Sequence, residues 1–202
     1  MSETREYKLP KPRLENGASL VEALSERRSV REFSSQALTI NEIAQLLLAA
    51  QGITSRGGYR TAPSAGALYP LELHLMAGEA EGLPPGSYRY NPDRQVLEGG
   101  VSGDLRPALA RTALNQTWIS QAPAVVVISA VYSRTSWKYG KRAIQYVHIE
   151  AGNASQNLLL QATALGLGSV VVGAFDDEAL SHLLNLPESE KPLLILPIGH
   201  KL

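Results

Sequence analysis

No cysteine occurs anywhere in the 202 residues. Disulfides, thiolate metal sites, iron–sulfur clusters and a cysteine nucleophile are excluded together. Net charge is also missing: 19 Lys and Arg stand against 19 Asp and Glu. No overall field draws the chain to nucleic acid or to an anionic membrane, so neither is an expected partner. No stretch approaches the roughly 20 apolar residues of a spanning helix. The segment Met1 to Asn16 is polar, is broken by Pro10 and Pro12, and carries no apolar signal core. A cytoplasmic protein is the expectation, in a compartment where reduced nicotinamides are available. His74, His148, His182 and His200 are scattered without metal-ligand spacing, so no metal site is expected. The Gly-x-Ser-x-Gly elbow of a serine hydrolase is missing too.

What is present describes a packed domain: 44% hydrophobic and 19% charged residues. Residues 1–18 read as an extended arm and residues 19–202 as one domain, with no repeat or linker. Two capping patterns, Ser19 with Glu22 and Thr39 with Glu42, open helices. The first carries Leu20, Val21 and Leu24; the second carries Ile43, Leu46, Leu47 and Ala50 and stops at Gly52. A long Gly-, Ser- and Pro-rich loop follows from Ile53 to Pro70, and loops of that length are usually functional. Leu71, Leu73 and Leu75 alternate with Glu72 and His74, the pattern of a half-buried strand. Ser87–Tyr90 and Gln95–Leu97 flank an Asn-Pro-Asp-Arg turn, which suits a hairpin. Asp104 can cap a short helix reaching Ala113. Ala124 to Val131 is continuously apolar, fit for a central strand. Gly140 to Leu165 lacks proline and reads as one long helix, with small residues at Ala151, Gly152, Ala154, Ser155 and Ala162 that allow close packing. Ser169–Val172 and Leu193–Ile198 read as strands, with a helix over Asp176–Leu184 between them. Hairpins together with helical crossovers argue α+β with a mixed sheet flanked by helices.

Four short segments carry chemistry. In Arg27-Arg28-Ser29-Val30-Arg31, residues 27, 29 and 31 share one side of an extended chain. Forked guanidinium donors and a hydroxyl suit a phosphate or a polyhydroxylated chain; composition alone equally describes a solvated basic turn. Ala62-Pro63-Ser64-Ala65-Gly66-Ala67-Leu68-Tyr69-Pro70 is either a plain surface loop or a backbone surface that lets a planar ligand come close. Gly166-Leu167-Gly168 follows a helix and precedes a strand, the reverse of the order a dinucleotide fingerprint requires, so a Rossmann site is rejected. Gly166 reads instead as a helix C-cap, and Gly173-Ala174 as a close backbone approach after a strand. In Trp137-Lys138-Tyr139-Gly140 a lysine beside a tyrosine can act as base and hydrogen-bond donor, or be a solvated pair.

Taken in this order the segments resemble the nitroreductase superfamily, and its SagB-type dehydrogenase branch in particular, from about Ser19 to the C-terminus. The resemblance implies an FMN-dependent oxidoreductase in an entwined homodimer, with flavin held between subunits. Arg27, Ser29 and Arg31, with Arg28 beside them, would hold the FMN phosphate and ribityl chain. Pro63, Ser64, Ala65, Gly66 and Leu68 would line the flavin from the partner subunit. Gln116 matches a position near the pyrimidine edge, while Val172, Gly173 and Ala174 would offer backbone groups near N5. The Lys-x-Arg segment that grips phosphate in many nitroreductases is replaced here by Gly199-His200-Lys201-Leu202, leaving His200 and Lys201 to substitute. Lys138-Tyr139 matches the pair of azoline-oxidising members, with Lys138 as base and Tyr139 positioning it. The implied reaction is ping-pong hydride transfer through flavin N5 on a small-molecule or peptide-derived substrate. Two alternatives are an NAD(P)H-dependent reductase of nitroaromatics or quinones and a flavin-binding protein without turnover.

Overall fold

The computed structural model describes residues 5–11 and 18–202. Seven strands form one sheet: β1 (Glu6–Lys8), β2 (Leu71–Ala77), β3 (Gly86–Asn91), β4 (Val96–Ser102), β5 (Ala124–Ala130), β6 (Leu167–Ser169) and β7 (Lys191–His200). Their order is β1-β4-β3-β2-β5-β7-β6. Every pairing between these strands is antiparallel, where the sequence suggested a mixed sheet. Among the described residues, parallel pairing survives only in two isolated bridges, Ser29 with Ser169 and Leu38 with Ala80. Part of the arm read over residues 1–18 lies outside the described residues; Glu6–Lys8 forms the edge strand β1 against β4.

The helices are α1 (Leu20–Glu26), α2 (Ile40–Gln51), α3 (Arg106–Thr112), α4 (Ser133–Tyr139), α5 (Ala143–Ala164) and α6 (Asp177–Leu183). Both capping boxes form, because each hydroxyl satisfies one orphan N–H while the glutamate returns to the cap amide. The Ser19 amide donates to Glu22 at 2.7 Å and the Thr39 amide donates to Glu42 at 2.8 Å. α2 ends at Gly52, where a Cβ would lie 2.5 Å from the Leu48 side chain. The apolar residues of α1 do not face inward: Leu20, Val21 and Leu24 are exposed and only Ala23 is buried. The long helix also begins later than its proline-free run suggests. Gly140 adopts φ 52°, ψ −135°, which ends α4, and α5 starts three residues on, after a short 3₁₀ turn (Gly140–Arg142).

Strand alternation builds a core on each face of the sheet. Leu71, Leu73, Leu75, Val126, Ile128 and Leu196 pack with α2 and α5, while Met76, Val125, Val127 and Ile195 pack with Leu109, Ile119 and Leu180. β2 is therefore buried along its whole length instead of half-exposed. It lies between β3 and β5, so Glu72 and His74 are enclosed and each finds a charged or polar partner. His74 meets Glu190 at 2.6 Å, and Ser129 donates to the same carboxylate at 2.5 Å. Glu72 takes Arg89 at 2.9 Å and Arg134 at 2.5 Å. The small residues of α5 do what close packing asks: Ala151, Ala154, Ser155 and Ala162 are buried where α1 and α2 cross it. Ile144, Ile149 and Gly152 stay exposed on the same helix.

Candidate functional site

Two clusters gather the residues singled out by sequence. The first lies along β6. The segment 27–31 leaves α1 in extended form and docks on this strand, with the Val30 amide donating to the Ser169 carbonyl at 3.1 Å. Val30 turns inward against Gly168, where any Cβ would lie 2.6 Å from it, so Ser29 and Arg31 face out. Arg27 is half-buried, and Arg31 lies over the Trp118 ring at 5.7 Å. Arg28 departs from this side: its guanidinium folds back to the Ser25 and Arg27 carbonyls at 3.0 and 2.9 Å, capping the end of α1.

The C-terminal residues come to the same edge. Phe33 bridges to Lys201, and the Ser34 amide donates to the His200 carbonyl at 2.9 Å. His200 Nε2 is enclosed without a hydrogen-bond partner, 3.7 Å from the Glu42 carboxylate and beyond bonding reach. The Ser169 hydroxyl, on a residue only 3% exposed, is likewise unpartnered. Buried polar atoms without partners are uncommon in folded proteins, and here two sit next to the arginine segment. Gln116 closes the cluster: its amide donates to the Ala174 carbonyl at 3.4 Å, with Leu114 and Asn115 before it at positive φ of 55° and 60°. Val172 is buried and bridged to Ile195, while Gly173 and Ala174 are exposed, with open space where a Gly173 Cβ would stand.

The second cluster is the turn at residues 63–69. Gly66, Ala67 and Tyr69 have φ of 64°, 54° and 46°. Left-handed backbone at two non-glycine residues costs on the order of 1–3 kcal/mol each, and such strain persists only where surroundings enforce it. Here the Ser64 hydroxyl accepts from the Tyr69 amide at 2.9 Å, and Arg134 donates to the Tyr69 carbonyl at 3.2 Å. Lys138 and Tyr139 stand over this turn: a Cβ on Gly66 would lie 2.7 Å from the Tyr139 hydroxyl and 2.9 Å from Lys138 Nζ. Tyr139 is braced edge-on by Tyr146, ring centroids 5.0 Å apart. Lys138 is one helical turn after Arg134, so the Glu72–Arg134 pair that anchors α4 also aims its lysine. Pro63, Ala65 and Leu68 belong to the same turn, Pro63 exposed and the other two half-buried.

The structure joins Lys138 and Tyr139 to the 63–69 turn, and joins Arg27, Ser29, Arg31, Gln116, Val172–Ala174 and His200–Lys201 to one another. It does not join the two clusters within one chain. The turn packs at the N-terminal half of α5, beside Glu150, whereas β6 begins just after its C-terminal end. From Glu150 to the helix end at Ala164 the axis runs roughly 21 Å. The sequence assigns no site role to Trp118, Ser169, Arg60, Glu72, Arg134 or Glu150, all of which support one cluster or the other. Only the hydrophobic alternation of β2, which puts Glu72 on a strand beside the loop, offered a signal for any of them.

A protein-family model for the nitroreductase family matches residues 24–200. The chain belongs to the nitroreductase family, and with the fold this makes it a nitroreductase-type oxidoreductase. Among its relatives, a nitroreductase-type protein of Methanocaldococcus jannaschii is 42% identical over the full length of both chains. The microcin B17-processing protein McbC of Escherichia coli is 27% identical over 170 residues, spanning 80% of this chain and 62% of McbC. A crystal structure of a nitroreductase-type protein from Ralstonia eutropha superposes with a TM-score of 0.87 at 31% identity, covering all of this chain and 92% of the other.

Proposed function

We propose that the protein is an FMN-dependent dehydrogenase that works as a homodimer, each flavin site combining the β6 cluster of one subunit with the 63–69 turn of the other. The observation that carries this reading is the convergence of Lys138 and Tyr139 on Gly66, which sets an amine and a phenol over a left-handed turn. The separation of the two clusters along α5 supports a two-subunit site, as do the exposed Leu20, Val21, Leu24, Ile144 and Ile149, which offer apolar surface to a second copy. The donor set fits FMN. Arg27, Ser29, Arg31 and Lys201, with the unpartnered Ser169 hydroxyl and His200 ring, present cations and donors for a phosphate and polyol. Gln116 and the backbone of Gly173–Ala174 would meet the ring edge, and Pro63–Leu68 its face.

FMN, when bound, supplies the hydride acceptor. The chain's own task is the proton: Lys138 Nζ takes the one that leaves the substrate as its new double bond forms, and Tyr139 holds the lysine in place. The likeness to McbC, a peptide-processing protein, favours an azoline-type ring in a peptide-derived substrate. The test begins with the visible spectrum of purified protein, followed by anaerobic NADH or NADPH. Flavin bands that persist while an organic hydride donor bleaches them, and that no longer bleach in Lys138→Ala, are the expected outcome. Rapid bleaching by the nicotinamide in wild type and Lys138→Ala alike would make it an NAD(P)H-fed reductase instead. A colourless protein that FMN cannot reconstitute would end the flavin reading.

A further inference from the structure

Glu150 is a buried carboxylate, 2% exposed, that forms no ion pair among the described residues, unlike Glu72. It projects from α5 beneath the 63–69 turn. Gln51 of α2 donates to it across 3.5 Å, and the Ser64 hydroxyl hydrogen-bonds the same group. Both neighbours lead back to the strained backbone. Ser64 accepts the Tyr69 amide, and Gln51 accepts from Arg60 at 3.0 Å. Arg60 lies over the Tyr69 ring at 4.7 Å, and its amide donates to the Tyr69 phenol oxygen at 3.2 Å. Glu150 is therefore at the root of the contacts that hold both ends of the turn.

We propose that Glu150 is a positioning residue that, as a neutral carboxyl, holds the Ser64–Tyr69 turn ready for flavin and makes flavin binding proton-linked. The inference rests on the flavin reading above and adds its regulation. Burial pushes the Glu150 carboxyl up to about 7, against smaller opposing effects of Ser64, Gln51 and Arg60. Arg60 is the charge that bears on it among the described residues; Glu72 and Arg134, beyond Arg60, are paired with each other. Ionised, Glu150 would turn the Ser64 hydroxyl toward itself as donor and attract the Arg60 guanidinium away from the Tyr69 ring, so the turn would lose the arrangement that the neutral carboxyl supports. A planar ring laid over the turn also withdraws water and disfavours the ionised form further. Binding then takes up a proton, and affinity falls as pH rises.

Apo-protein titrated with FMN and with riboflavin, read by flavin fluorescence at about pH 6 and about pH 8.5, tests this. Riboflavin lacks the phosphate, whose own second ionisation near pH 6 otherwise enters the slope. Wild type is expected to bind both ligands about tenfold more weakly at the higher pH, as follows if the bound state holds the Glu150 proton about tenfold more tightly than the free state. Glu150→Gln, which keeps the hydrogen bonds but cannot ionise, is expected to bind equally at both. An unchanged slope in Glu150→Gln, or no slope with riboflavin in wild type, overturns the proposal while leaving the flavin site standing. No quenching at any pH removes the flavin site and this inference with it. If circular dichroism shows Glu150→Gln unfolded, Ser64→Ala decides. Its apo stability should still depend on pH while its riboflavin slope disappears; a persisting slope overturns the proposal.

Discussion

The two clusters of the candidate site are built on opposite principles. Along β6 the segments that carry Ser29, Arg31 and Lys201 have ordinary, well-bonded backbone and present outward side chains on a pinned strand, and left-handed non-glycine residues enter this cluster only at Leu114 and Asn115, ahead of Gln116. In the 63–69 turn the backbone itself is unusual, and it is held by buried polar groups on α2, α5 and β2 together with the partly exposed Arg134 of α4. A cluster of the first kind can lose a side chain and keep its fold. One of the second kind stores strain and depends on every support. Substitutions should separate the two by their cost in stability.

The sharpest break is at Glu72, which carries Arg89 and Arg134 at once from a strand buried on both faces. Glu72→Gln leaves two guanidiniums, each more than a third exposed, without their counter-charge and is expected to destabilise the fold by about 2–4 kcal/mol, less than the loss of a fully buried pair. Urea unfolding at neutral pH measures it. A loss below about 1 kcal/mol, the range of exposed pairs, would mean that the turn has no such support.

Next comes the pH dependence of stability, from Glu150. A carboxyl whose folded value is raised from 4.5 to about 7 binds more protons in the folded state. Its contribution is complete at pH below the unfolded value and is lost as pH rises through the folded one. Wild type should therefore lose on the order of 2–3 kcal/mol between about pH 4.5 and about pH 7.5 relative to Glu150→Gln. Parallel stability curves for the two proteins would show that the carboxyl is neutralised elsewhere.

These supports also mark where sequence stops being informative. Capping boxes at Ser19 and Thr39 are legible because both partners lie three residues apart. The segments 27–31 and 63–70 are legible as motifs, and the apolar run at Ala124–Val131 as a central strand, because each is local. The roles of Glu72 and His74 were hidden since their partners are 17 and 116 residues away, and alternation alone assigns such residues to solvent. Glu150 was hidden for the same reason, 99 residues from Gln51. Gly140 could be seen but not its φ, so the long helix reads as starting three residues early and α4, just before it, is not read as a helix. The site's residue types are local properties; its supports are tertiary.

Gly66→Ala sits between the extremes. At φ 64° an added Cβ meets left-handed strain and stands 2.7 Å from the Tyr139 hydroxyl and 2.9 Å from Lys138 Nζ. Those neighbours are the far ends of flexible side chains and can swing aside, so the expected cost is only about 1–2 kcal/mol, mostly backbone. The displaced lysine and tyrosine make the functional loss larger than the stability loss. A melting curve compared with turnover of an organic hydride donor would show that split, and equal losses in both would argue that Gly66 serves folding alone.

The smallest effect belongs to the β6 cluster. Arg31 is exposed and has one described contact, over Trp118 at 5.7 Å. Arg31→Ala should change unfolding free energy by no more than about 0.5–1 kcal/mol. Its effect on ligand must then be selective. A guanidinium that grips a phosphate contributes about 1.5–3 kcal/mol through a charge-assisted bond, so FMN affinity should fall roughly tenfold or more while riboflavin affinity stays level. Equal weakening of both ligands would place Arg31 against the ring instead of the phosphate. A large loss of stability would contradict the contrast itself, because it would make this edge as dependent on its side chains as the strained turn is on its buried supports.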